Sequence, residues 1–231
     1  MKVGVLIHGL FLQAKGWEGV VWGQPPYVFG SIPKAVQVML SFGLENISHV
    51  MFGTGASEKD GLKEAEYTHR ELLQHMQRLE GYPSLAMSSG QYSRLSELAK
   101  AATLEVQSKN TQEEIVNAAK CFDKHGCSII VQVPTCGSHA PRCIKTFLQV
   151  KEQGNIPAGQ FWMVASPDNT FSGSVISDVV IVEPPHRADD LMLNAPIQAH
   201  NVVSRLLKVP PPARITFLNR VDWLLRKGYG V

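Results

Sequence analysis

Residues 128–133, SIIVQV, constrain the fold of this chain more than any other stretch. A strand with one wet face alternates apolar and polar residues. A run that stays apolar is covered on both sides, as in the middle of a parallel sheet. Runs of similar character recur: VGVLI at 3–7, SHVMFGT at 48–54, QFWMVAS at 160–166 and SDVVIVEP at 177–184. Helical periodicity fills the intervals, in PKAVQVMLSF (33–42), GLKEAEYTHRELLQHMQRL (61–79), NTQEEIVNAAKCFDKHG (110–126) and PRCIKTFLQVKEQG (141–154). The second of these offers Leu62, Leu72, Leu73, Met76 and Leu79 for burial on one face. SLAMS (84–88) and TLEV (103–106) are two short strand candidates on either side of the helix YSRLSELAKA.

Strands and helices in alternation predict an α/β fold: a Rossmann-like, doubly wound, mostly parallel sheet with helices on both faces. The 231 residues, 44% of them hydrophobic, suit one core, so a single domain over 1–231 is expected. The prolines at 210–212 mark a hinge, which makes 210–231 a C-terminal helical extension.

Basic and acidic residues number 22 and 20, so the balance gives no nucleic-acid footprint. No stretch approaches the roughly 20 apolar residues that span a bilayer. The apolar N-terminus is broken by Gly4, His8 and Gly9 and does not read as a signal peptide. Cysteines stand at 121, 127, 136 and 143 with no CxxC pair and no zinc spacing. Reduced structural thiols, no metal and a cytoplasmic setting follow as expectations. Cys136 and Cys143 flank a polar motif, where one reactive thiol stays open.

In doubly wound folds ligands bind beyond the carboxyl ends of the strands, so the loops there are the places to look for chemistry. The first, HGLFLQAKGWEGVVWGQPPYVFG, has Gly9 among glycines that let backbone approach a ligand, and Trp17 and Trp22 that can stack on one. His8 by itself reads as a core histidine. The second, GTGASEKDG, gathers Thr54, Gly55, Ala56 and Ser57 as a small anion nest, with neither a Walker nor a GxGxxG pattern. The third is SKNTQEE, where Thr111 and Glu114 have capping-box spacing and Asn110 is left for another role. The fourth is PTCGSHAPRCIK. Ser138 suits a cap and Pro141 a first turn, but His139 and Arg142 are cations at the positive end of a helix dipole. That placement makes sense if one anion sits between Arg142 and the helix N-terminus, with His139 beside it as acid or base.

Taken in order, GTGAS, KEAEY, LEVQSKNTQEE and VPTCGSHAPRC resemble the motifs of the YdcF-like family, the domain of unknown function 218 family that includes SanA- and ElyC-type proteins. The resemblance covers roughly residues 3–150. By position it implies Thr54 and Gly55 in the glycine turn and Glu64 in the EA pair opening a helix. It implies Ser108, Asn110, Thr111 and Glu113 in the third motif, and Thr135, His139 and Arg142 in the last. Two departures stand out: Glu114 replaces the amide of the family's EN pair as a capping carboxylate, and Lys34 is the nearest cation to a missing first-helix arginine. The segment 183–196 lies beyond what the family explains. The resemblance implies a Rossmann-like fold with a polar cleft and links to S-adenosylmethionine and envelope polysaccharide; without an N-terminal span, an envelope role is not expected here.

The expected function is an enzyme, a hydrolase or transferase, on a phosphorylated or otherwise anionic small molecule. Glu64 and His139 would be catalytic, and Gly9, Thr54, Gly55, Asn110, Thr111, Glu113, Thr135 and Arg142 would bind substrate. The alternatives are an S-adenosylmethionine- or nucleotide-binding protein, with methyltransferase activity in view, and a metabolite-binding module without turnover. Neither nucleic acid nor membrane is an expected partner.

Overall fold

The computed structural model describes residues 2–14 and 16–169. By internal contacts the chain divides into two compact units, Met1–Thr170 and Phe171–Val231. The expected strand at 177–184, the segment 183–196 and the helical extension over 210–231 lie outside the described residues.

The first unit opens with β1 (Val3–Ile7), then α1 (Trp17–Trp22) and a small hairpin of β2 (Gly23–Gln24) and β3 (Val28–Phe29). Helix α2 (Ser31–Phe42) leads to β4 (Ile47–Gly53); a second hairpin, β5 (Glu58–Lys59) and β6 (Leu62–Lys63), precedes α3 (Glu64–Gln74). After α4 (Ser89–Lys100) come β7 (Thr103–Glu105), α5 (Thr111–Lys124), β8 (Ile129–Val133), α6 (Ala140–Glu152) and β9 (Phe161–Val164). Short 3-10 turns lie at Met76–Gly81, Pro83–Leu85 and Gly137–His139.

Five strands form one sheet in the order β7-β4-β1-β8-β9. All its pairings are parallel, with Val5 between Val50 and Val131. The chain lays down β1, β4 and β7 in one direction, then returns to place β8 and β9 on the other side of β1. Right-handed crossovers therefore put α2, α3 and α4 on one face and α5 and α6 on the other. The reversal between β1 and β8 is a topological switch point, where two neighbouring loops diverge and leave a crevice.

Side chains of alternate strand residues share a face. On the α5 side, Leu6, Met51 and Ile130 pack against Ile115, Ala118, Ala119, Phe122, Val150 and Trp162. The same alternation carries polar groups to both ends of that layer. His8 and Gln132 follow Leu6 and Ile130 at one end, and His49 precedes Met51 at the other. Helix α5 crosses the sheet between them.

Three local expectations are corrected. SLAMS is no strand: Pro83–Leu85 is a 3-10 turn, and Ser88 caps α4 through a capping box with Gln91. The sheet edge beside β4 is taken by TLEV instead, as β7. The helix expected over 61–79 starts only at Glu64, because Leu62 belongs to a hairpin, and it ends in a 3-10 turn that still buries Met76 and Leu79. Finally, the first residue of α5 is Thr111, and its cap is Asn110. The Asn110 side chain accepts from Glu113 N–H at 2.9 Å, and Glu113 accepts from Lys109 N–H at 2.9 Å. Glu114 takes no part in capping.

Candidate active site

What Glu114 does instead builds the centre of the site. Its carboxylate reaches back to the loop after β1, where Oε2 lies 2.7 Å from His8 Nδ1 and Oε1 accepts from Gly9 N–H at 3.4 Å. The other ring nitrogen, His8 Nε2, lies 3.1 Å from Gln132 Oε1 on β8. Each nitrogen of His8 thus faces an oxygen, an arrangement that suits the doubly protonated ring. Burial alone would push the pKa of this enclosed imidazole down. Cys143 and Glu114 beside it outweigh that and hold it well above the ordinary value. His8 is therefore part of a buried ion pair rather than an apolar core.

His139, edge-on to His8 with ring centroids 5.4 Å apart, behaves in the opposite way. Burial, the charge on His8 and the Arg142 guanidinium all hold its pKa well below the ordinary value. Its Nδ1 meets the Thr135 N–H at 3.4 Å and the Thr135 hydroxyl at 3.2 Å. A backbone N–H can only donate, so the lone pair is on Nδ1 and the single proton on Nε2. That nitrogen faces Thr111 Oγ1 at 3.4 Å and Cys143 Sγ at 3.6 Å. His139 occupies the cap position of α6 itself, which is why the expected role of Ser138 as cap falls away.

Glu64 is the first residue of α3 and is buried, with its Oε1 accepting from Ser57 Oγ at 2.5 Å. Ser57 in turn accepts from Leu12 N–H at 2.9 Å, so Glu64 is fixed through the loop after β1. Gly9 lies between the two carboxylates. A Cβ there would stand 2.5 Å from Glu64 Oε2, 2.5 Å from Thr54 N and 2.6 Å from Gly53 O. Only glycine lets the loop after β1 settle against the loop after β4.

The expected site residues therefore fall into two groups. Gly9, Glu64, Thr111, Thr135 and His139 join His8, Glu114 and Gln132 in one continuous polar layer at the carboxyl ends of the strands. Arg142, half-buried in the first turn of α6, acts on His139 electrostatically. Thr54, Gly55, Asn110 and Glu113 line the rim, with their polar groups bonded within the loops. Thr54 donates to Ser108 O at 2.6 Å, Gly55 N–H to the same carbonyl at 3.0 Å, and Asn110 and Glu113 bond each other.

Other expectations dissolve into packing. Trp17 and Trp22 are both buried, Trp17 donating to Leu10 O at 3.2 Å and Trp22 lying under the Arg78 guanidinium. Lys34 bonds Asp168 at 3.1 Å and Gln37 at 2.9 Å, beside a groove of about 260 Å³ over Val131 and Met163. The two residues sequence reasoning underrated, His8 and Glu114, carried one signal: His8 directly follows the end of β1 and Glu114 lies in the first turn of α5, both at the carboxyl end of the sheet. No known family model, curated protein or solved structure matches the chain.

Proposed function

We propose that the protein is a YdcF-like enzyme, a hydrolase or transferase working in the cytoplasm, that acts on a phosphorylated or otherwise anionic small molecule. One observation carries this reading: two histidines in contact at the switch point, their pKa values driven apart by their neighbours. Such divergence separates acid and base roles within one site. His139 and Glu64 serve as the two proton-transfer groups of the site. Arg142 and the N–H groups opening α6 hold the anion. The His8–Glu114 ion pair, neutral overall, fixes the loop after β1 against the start of α5 beneath the site. Gln132 Nε2 is buried and meets no acceptor among the described residues, which adds a donor next to the same histidine.

Thermal-shift screening with sugar phosphates, nucleotides and S-adenosylmethionine tests the reading. A sugar phosphate or related anion should stabilise the protein by a few kcal/mol at saturation, and His139→Ala should abolish turnover of it. Stabilisation by S-adenosylmethionine alone would favour the methyltransferase alternative, although the tryptophans it would stack on are buried. Binding that never leads to turnover would leave a metabolite-binding module.

A further inference from the structure

The opposite end of α5 carries a second cluster that takes no part in that chemistry. Cys121 and His125 are one helical turn apart at the C-terminus of α5, so they share a face. His49 reaches the same point from the start of β4. One donor atom of each lies within 4.8 Å of the other two. The His49 and His125 rings are stacked at 3.7 Å, 5° from parallel. Thr103 Oγ1 on β7 sits between two of the donors, 2.7 Å from His49 Nε2 and 3.7 Å from Cys121 Sγ.

We propose that His49, Cys121 and His125 form a zinc site, with water as the fourth ligand. Two imidazoles and a thiolate are a borderline-soft donor set, which suits zinc and its tetrahedral preference. At Zn–N and Zn–S lengths of about 2.1 and 2.3 Å, tetrahedral donors stand about 3.5 Å apart. The triangle therefore has to contract by only about 1 Å, and the stacked rings have to splay. The exposed His125 ring is free of packing on its outer side and supplies that movement. Solvent reaches the site through His125 and the half-buried Cys121, while the other three cysteines are buried. Cysteine spacing gave no sign of this because two of the ligands are histidines and one comes from a distant strand. Bound zinc would tie α5 to β4 and β7, the elements whose other ends hold Glu114, Gly53 and Ser108.

The test uses the full chain, freed of metal with a chelator and titrated with zinc and with cobalt. One equivalent of zinc should bind, the cobalt form should show a thiolate-to-cobalt absorption band, and zinc should protect Cys121 from iodoacetamide. Cys121→Ser and His125→Asn should each weaken zinc binding at least tenfold, and Cys121→Ser should remove the cobalt–thiolate band. Circular dichroism of both variants should match the parent. His125→Asn changes an exposed side chain, so it reports on the metal even if Cys121→Ser disturbs packing. Absence of saturable zinc binding at micromolar concentrations overturns the proposal. So does binding of zinc that survives both substitutions, which would place the metal elsewhere.

Discussion

His8 and His139 touch edge to face yet hold protons differently, and the difference lies in the atoms each ring meets. His8 faces a carboxylate and an amide oxygen, whereas His139 faces a backbone N–H and two hydroxyls. The sign of the pH dependence follows. His8 binds its proton more tightly folded than unfolded, so its stabilisation is complete below about pH 6.5 and is lost as pH rises through its raised folded value. His49 and His139 are depressed, so theirs is present above about 6.5 and fades as pH falls, for His49 through about 4. Urea midpoints of the metal-free protein should therefore decline on both sides of neutrality. His8→Gln should flatten the alkaline limb and His49→Asn the acid limb. A parent protein equally stable from pH 6.5 to 9 would show that His8 is neutral. Arg142 already acts on His139 in the free protein, and it holds the anion when ligand is present. A charge-assisted bond lost there costs about 1.5–3 kcal/mol, so Arg142→Ala should raise the dissociation constant of the anion about tenfold or more. Titration calorimetry measures the effect.

At the scale of elements, α5 is the member that joins everything. Its middle buries Ile115, Ala118, Ala119 and Phe122 against the sheet, its start supplies Thr111 and Glu114, and its end supplies Cys121 and His125. Phe122 is fully buried against Gly4, whose missing Cβ leaves room for the ring, and edge-on to His49. Phe122→Ala should cost about 3–5 kcal/mol, read as a shift of the urea midpoint, with polar-cluster residues loosened because the helix no longer seats. The sequence made this helix legible and its start ambiguous. Asn110 with Glu113, and Thr111 with Glu114, have the same spacing, so two overlapping capping boxes compete. Local chemistry does not choose between them. The choice falls to His8, 106 positions away, which takes the Glu114 carboxylate and leaves capping to Asn110 and Glu113. For the same reason His8 read as an ordinary core residue: its partner was invisible from its own neighbourhood. His139 was legible because it follows a strand and opens a helix, an order that sets which end of the sheet it occupies, whereas Glu64 and Thr135 were named only through the family resemblance. SLAMS failed because Pro83 opens a 3-10 turn there and Ser88 is taken as the cap of α4.

Over the whole described unit, strand order determines where a ligand should act. The reversal between β1 and β8 opens the crevice between their loops, and the two histidines with the carboxylates of Glu64 and Glu114 lie at that point. The groove beside α2, over Val131 and Met163, is the competing location; it is lined by Lys34, already paired with Asp168, by Gln37, Ser41 and Ser166, and by apolar side chains. Hydrogen exchange distinguishes the two. Amides in β1, β4 and β8 are interior to the sheet and should exchange slowest with or without ligand, while β7 and β9, at its edges, exchange faster. Adding a stabilising anion should slow exchange at the switch point specifically: residues 8–10 after β1, 53–55 after β4, 110–114 at the start of α5 and 135–139 after β8. Those four segments are separated in sequence and meet only through the sheet, so joint protection of all four cannot come from a local effect on one loop. His139→Ala should reduce protection at 135–139 together with 110–114, since Thr135 and Thr111 are its partners. Protection confined to 34–42 and 163–166 would assign the ligand to the α2 groove, and the histidine pair would then be a buried structural charge without a substrate.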